Sequence, residues 1–425
     1  MRSTKSDRSK PANAQAEDPR ALLCTGQSYL ERLGVLYMEK IRVHIVTELY
    51  MREMTPAQFF ATVGGTSYPA VRRHFVKLVE TGWLRQVRPA SGGPGKPGML
   101  HRATELPLID NETFERFPVS IRDTFTVQLL EEMGCRLGEA MSAGTAQSRN
   151  GGLGVFKVAE LDESGWCMAL AAVEHCFKVL SQIQTDAKLR IDHGYGRPLS
   201  MIVNLAAFEM PTAKAPGSIT GELPLVDGSA LIRHHWPERI GKVFVDPLNL
   251  AIIDVLHGAT LTSSQLHDYF GMRTPRKLRE RCQFLAELGF VAILTGDPLG
   301  GSDSDARSHR FRATSPRTSK AAILRPIPPS AREGDLWQAF DQFASASVEA
   351  LEGGTFNIRP DRHLTESQLL IDEIGRTQVV EALANCKASL EQAKRVTQRQ
   401  QCGGNVSSFG LLVTGFNSPF REMRG

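Results

Sequence analysis

The 425-residue chain lacks any apolar run approaching the ~20 residues needed to cross a bilayer. Its first residues are polar, without the charged, apolar and small-residue series of a secretory signal, so a cytoplasmic protein with no membrane partner is expected. Paired cysteines are missing too. Cys24, Cys135, Cys167, Cys176, Cys282, Cys386 and Cys402 form no C-x-x-C or C-x-C, which disfavours a zinc ribbon and a disulfide framework. Charge of one sign is scarce in excess: 50 Lys and Arg face 46 Asp and Glu, so the distribution of charge must identify any polyanionic partner. Nor is there a phosphate loop, a dinucleotide fingerprint or a nucleophile motif. The reading is therefore of a protein that is not an enzyme and carries no cofactor or metal.

What the chain does contain is a copy of itself. At a shift of 207 residues, 41–84 aligns with 248–291 without a gap, with identities at Ile45/Ile252, Leu49/Leu256, Thr55/Thr262, Gln58/Gln265, Gly64/Gly271, Arg72/Arg279, Leu78/Leu285, Glu80/Glu287 and Gly82/Gly289. Further on the shift is 210. Arg102, Ala103 and Thr104 meet Arg312, Ala313 and Thr314; Leu161, Asp162 and Glu163 meet Ile371, Asp372 and Glu373; Cys176 meets Cys386. The apolar runs 200–208 and 408–416 correspond at 208. Such a repeat reads as a dimer fused into one polypeptide.

Within the first unit, apolar residues at Ile41, Ile45, Val46 and Leu49 predict one helix over 38–51. Thr55 followed by Pro56 starts a second, which stops at Gly64 and Gly65. A third over 67–81 buries Val71, Phe75 and Leu78 and ends at Gly82. Three helices at this spacing describe a helix-turn-helix, and strands over 83–88 and 99–103 around the Gly- and Pro-rich turn 91–98 describe a wing. The second unit repeats the plan, with its third helix opening at Thr274 and Pro275 and its wing over 291–313. Amphipathic helices follow, with Phe125, Leu129, Met133 and Leu137 in one half and Leu336, Phe340, Phe343 and Val348 in the other, as seams between the halves. Asp162 and Asp372 precede long helices and are expected to cap them.

The run Val71, Arg72, Arg73, His74, Phe75, Val76, Lys77 and Leu78, closed by Gly82, Trp83 and Leu84, resembles the recognition-helix signature of arsenical-resistance-repressor-like (ArsR-like) winged-helix regulators. The segment from Leu161 to Trp166 and the apolar strand after it resemble the C-terminal part of such regulators from high-GC Gram-positive bacteria. The resemblance implies a transcriptional regulator that binds double-stranded DNA. Arg72 stands where the family usually has Ser, the Cys-x-Cys of its metal sensors is absent, and the second unit has Glu280 and Phe284 in place of Arg73 and Lys77.

The expected fold class is thus mostly α with small β wings: two tandem winged helix-turn-helix units, each followed by long helices and a short apolar strand. Its divisions are a disordered tail (1–20), winged-helix domain 1 (21–106), a helical C-terminal part (107–210), a linker (211–241), winged-helix domain 2 (242–315), a second helical part (316–418) and a tail (419–425). From Ser67 to Arg102, seven basic residues (Arg72, Arg73, Lys77, Arg85, Arg88, Lys96 and Arg102) stand against the single acid Glu80. The candidate DNA-binding residues are Ser67, Tyr68, Pro69, Arg72, Arg73, Lys77 and, at the wing tip, Lys96; in the second unit they are Arg273, Arg276, Lys277, Arg279 and Glu280. Phe284 is expected to face outward beside them. His74 turns toward the interior, Cys176 and Cys386 read as small core residues, and His234 and His235 read as exposed linker residues rather than metal ligands. An unidentified small-molecule effector is placed between the long helices near Trp166. The oligomeric state is a monomeric pseudo-dimer or a homodimer. Two other functions stand beside a regulator: a plasmid-type replication initiator, and a protein-protein interaction module that does not bind DNA.

Overall fold

The structure, a computed structural model, describes residues 27–51, 53–63, 67–89, 98–104, 111–146, 153–211, 225–226, 236–271, 275–294, 309–316, 318–400 and 406–417. It begins with four helices, α1 (Gln27–Tyr37), α2 (Lys40–Met51), α3 (Pro56–Val63) and α4 (Tyr68–Glu80), and an antiparallel hairpin of β1 (Leu84–Pro89) and β2 (Met99–Ala103). After the short α5 (Asn111–Glu115), the long α6 (Val119–Ser142) leads to β3 (Leu153–Leu161), α7 (Glu163–Asp192) and β4 (Leu199–Met210). The second half repeats this order. β5 (Leu225–Val226) precedes α8 (Trp236–Phe244), α9 (Pro247–Gly258), β6 (Leu261–Thr262), α10 (Ser263–Phe270), α11 (Pro275–Glu287), β7 (Val291–Leu294) and β8 (Arg310–Ala313). β9 (Ser315–Pro316), α12 (Lys320–Leu324), α13 (Gly334–Glu352), β10 (His363–Ile371), α14 (Glu373–Gln400) and β11 (Ser407–Asn417) complete it.

Local chemistry explains several of these starts and stops. Thr262 and Gln265 form a capping box on α10, and Gly271, at φ 62°, ends that helix in the left-handed region that glycine adopts without strain. Asp162 and Asp372 cap α7 and α14 as expected, each accepting a 2.8 Å hydrogen bond, from Gly165 N and Gly375 N.

The halves join in two places, and both obey the internal repeat. In the helical layer α1 crosses α8 where Gly34 meets Gly241, residues equivalent at the 207 shift. A Cβ on Gly34 would lie 2.9 Å from Val245 N, and one on Gly241 would lie 2.5 Å from Met38 N, so only glycine allows this approach. Around the crossing, Leu33, Leu36, Ile240 and Val243 enter one apolar core that holds residues of both halves.

In the second layer the strands run in the order β10-β4-β11-β3, all antiparallel to their neighbours. Leu205 pairs with Val413, its equivalent at the 208 shift, so a pseudo-twofold axis passes between these two residues. No half contributes adjacent strands: β11 separates β3 from β4, and β4 separates β10 from β11. On one face α7 and α14 lie antiparallel, with Cys176 and Cys386 buried between them; the other face meets α6 and α13 through Met133, Leu137, Phe340 and Phe343. Coverage on both faces is why β4 and β11 are apolar at consecutive positions instead of alternating.

This arrangement overturns the expected fold class. The chain is a mixed α/β protein organised by a four-stranded antiparallel sheet, not a mostly helical pair of tandem winged helix-turn-helix units with a short strand appended to each. Two of the four strands, β3 and β10, fall in segments read as parts of helical regions, and the strands read as short are 12 and 11 residues long. One smaller correction follows: the end of the presumed linker, from Trp236, is helix α8 packed on α1. The amphipathic helices do pack one half on the other, as expected: α13 lies on β3 of the first half, and the glycines of α6 lie against the carbonyls of Ile323 and Pro326 of the second.

Candidate nucleic-acid interface

Helix α4 separates two faces by its 3.6-residue period. Val71, Phe75 and Leu78 are buried, whereas Arg72, Arg73, Val76 and Lys77 are exposed. At its start Ser67, Tyr68 and Pro69 are exposed as well. Ser67 occupies the N-cap, but its hydroxyl makes no capping hydrogen bond. The Tyr68 ring sits edge-on to Phe60 at 6.0 Å. Among the described residues neither Arg72 nor Arg73 has a side-chain hydrogen bond or ion pair, and Lys77 reaches only Glu80, at 3.4 Å across an exposed i,i+3 pair of little energetic weight.

Several contacts fix α4 from below. Phe75 packs edge-on against Phe59 and His101 at 5.8 and 5.2 Å. Burial holds the His101 imidazole below its ordinary pKa, so the ring is neutral in its apolar surroundings. His74 is half-buried and accepts from Arg42 Nε at 3.3 Å; burial, then the Arg42 charge, lowers its pKa as well. At the far end Arg32 of α1 donates to Thr81 O at 2.7 Å and lies 4.7 Å over the Trp83 ring. Arg32 and Arg42 thus position the basic helix. Neither was a candidate from sequence, although Gly34/Gly241 continues the 207 shift upstream and could have drawn attention to α1.

The hairpin after α4 adds charge. Arg85 and Arg102 are exposed and directly opposite one another on β1 and β2, an unfavourable like-charge pair unless an anion lies over it. Lys96 lies outside the described residues.

The second half carries the equivalent helix but a different surface. On α11, Arg276, Lys277, Arg279 and Glu280 are all exposed, and Arg276 pairs with Glu280 at 2.9 Å. Arg273 lies outside the described residues. Phe284 does not project freely: it is half-buried against the helical core and lines a shallow cleft of about 470 Å³ with Leu248, Lys277, Glu280 and Arg281. The structure therefore brings together Ser67, Tyr68, Pro69, Arg72, Arg73 and Lys77 on one exposed helix, and on α11 it leaves part of the positive charge internally compensated.

The surroundings of Trp166, where an effector is expected, are defined by its own contacts. Trp166 is fully buried, donates from Nε1 to Asp361 at 2.8 Å, and is covered by Arg359 at 4.1 Å from its ring. Cys176, Cys282 and Cys386 are buried free thiols, and His234 and His235 lie outside the described residues. Among the described residues no group of three or more His, Cys, Asp or Glu is arranged to hold a metal ion, and no helix is long and apolar enough to cross a membrane. No protein-family model, curated protein or solved structure matches the chain.

Proposed function

We propose that the chain is a sequence-specific regulator that binds duplex DNA as a fused pseudo-dimer, with α4 of the first half as its principal reading element. The observation that carries this reading is the exposed face of α4, where Arg72 and Arg73 stand without a carboxylate partner among the described residues. Held rigid from beneath and followed by the Arg85/Arg102 pair, that face suits a phosphate backbone and the edges of guanine in a major groove. The ArsR-like resemblance of the same residues points the same way. In this reading the pseudo-twofold relation of α4 to α11 sets two unequal half-sites about one helical turn (~34 Å) apart, and α11, with Arg276 tied to Glu280, contributes less.

The test is selection from a random pool of duplex fragments, followed by fluorescence anisotropy over a range of salt. An asymmetric two-part motif is expected. Arg73→Ala should weaken binding by about 1–3 kcal/mol, whereas Glu280→Ala should leave it within about twofold. No binding at low salt would refute the reading and favour a protein partner.

A further inference from the structure

A cleft of about 860 Å³ lies where α1, α2 and α6 of the first half face Ala322, Arg325, Pro326 and Gln368 of the second. Its walls include Tyr37 at the end of α1, Glu48 on α2, and Gln128, Glu131, Glu132 and Glu139 on α6. That volume falls within the ~300–1,000 Å³ of small-molecule sites. The lining has the composition of one: an apolar part from Val43, Ala322 and Pro326, and polar groups converging from α6. Gln128, in the wall, has a buried Oε1 with no hydrogen-bond partner.

Charge gives the cleft its preference. Four glutamates line it against His44, Arg136 and Arg325; His44 lies 3.7 Å from Glu48, and Arg136 lies 3.5 Å from Glu132 and 3.9 Å from Glu366. Glu139 is exposed and has no side-chain partner among the described residues. Around Cys135, burial and then Glu131, Glu132 and Glu139 push the thiol pKa up, which places these three carboxylates in one electrostatic neighbourhood.

The internal repeat supplies a comparison. At equivalent positions of the second half, Val43 and His44 become Leu250 and Ala251, both fully buried, and Glu48 and Glu132 become the neutral Val255 and Gln342. Glu131 becomes Asp341, neutralised by Lys320 at 2.8 Å. Buried apolar residues close the one face, which keeps Glu139 as Glu349 and gains Asp254 at the place of Thr47, whereas the other stays open; the fold itself therefore does not require Glu48 or Glu132.

We propose that this cleft binds a small organic cation, setting an apolar body against Tyr37, Val43 and Pro326 and a protonated amine or guanidinium among Glu48, Glu132 and Glu139. This site is independent of the DNA reading, and its test uses the full chain without DNA. Rhodamine 6G and the smaller cation phenethylamine would be titrated by fluorescence anisotropy and calorimetry, with anionic fluorescein for comparison. Saturable binding of one cation per chain is expected, with no binding of fluorescein. The double variant Glu48→Gln, Glu139→Gln should weaken it by at least about tenfold. Glu349→Gln, at the position equivalent to Glu139, should leave it unchanged, and thermal melting would verify that each variant is folded. Peptide-resolved alkylation gives a second readout, in which the bound cation slows modification of Cys135, which lines the cleft, but not of Cys167, which is exposed as well and lies outside it. The proposal is overturned if neither cation saturates by ~1 mM, if fluorescein binds as tightly, if Glu349→Gln weakens binding as much as the double variant, or if Cys135 gains no protection.

Discussion

Replacing Gly241 by alanine tests the crossing that joins the helical halves, and the sign of the effect is diagnostic. In an exposed helix, glycine to alanine stabilises by about 0.5–1 kcal/mol, because alanine loses less backbone freedom on folding. At Gly241 the new Cβ would lie 2.5 Å from Met38 N, 2.8 Å from Tyr37 C and 2.9 Å from Gly34 O, all backbone atoms that no rotamer change can move. Ordinary contact needs separations nearly 1 Å longer, so α8 must lift from α1 and loosen Leu33, Leu36, Ile240 and Val243, all fully buried. Overpacking of this kind costs about 1–3 kcal/mol, which for a chain of this size lowers the melting temperature by roughly 1–3 °C. Gly34→Ala, whose nearest contact is 2.9 Å, should cost less, and Gly258→Ala, with nothing within 4 Å, should be neutral or stabilising. The assay is thermal unfolding by circular dichroism with chemical denaturation as a check. Equal stability of Gly241→Ala and Gly258→Ala would refute the close crossing, and with it the pseudo-twofold packing of the helical layer.

Two further outcomes rest on buried titratable groups. Burial, then the charge of Glu132, raises the Glu366 carboxyl to about 7, so the native state holds its proton where the unfolded chain has released it. That group's stabilising contribution is complete below the unfolded value near 4.3 and disappears as pH rises through about 7; Glu366→Gln should therefore raise the melting temperature at pH 8 more than at pH 5, and an equal change at both would count against the buried setting. His101 is buried with Nδ1 unpaired, and its equivalent in the second half is the fully buried Phe311. Its lowered pKa means stability present above about 6.5 and lost as pH falls below that value; His101→Phe should flatten this acid-side loss and stabilise by about 1 kcal/mol at neutral pH, whereas a destabilised variant would mean that the two pockets are not alike.

The sequence carried the local structure more legibly than the architecture. Thr55 with Pro56, Gly82, Thr262 and the Asp162 and Asp372 caps announce helix ends through short-range chemistry, and those ends lie within a few residues of where they were expected. The basic face of α4 follows directly from helical periodicity at Val71, Phe75 and Leu78. By contrast β3 and β10 were illegible as parts of a sheet, because each pairs with a strand from the other half, and residues such as Val155 and Val413 meet only across the long interval between them. The contributions of Arg32 and Arg42 were hidden for the same reason: both act on α4 from helices that precede it, through contacts that no spacing rule encodes.

Interleaving also changes what the duplication means. If each half kept its own two strands side by side, the repeat would be two beads on a string, and the linker alone would set their relation. Here β4 and β11 meet along nearly their whole length, and β3 and β10 find their partners only in the opposite half. The sheet therefore cannot form from one half, and the central pair Leu205 and Val413 fixes the relative orientation of everything built on it. Given that fixed frame, the halves are free to diverge at their surfaces without losing register. Arg73 has become Glu280 on the exposed helix, and the open cleft beside α2 corresponds to a face beside α9 closed by Leu250 and Ala251. A symmetric homodimer must place every substitution at both sites, whereas a fused pair can specialise one site and let the other serve the fold.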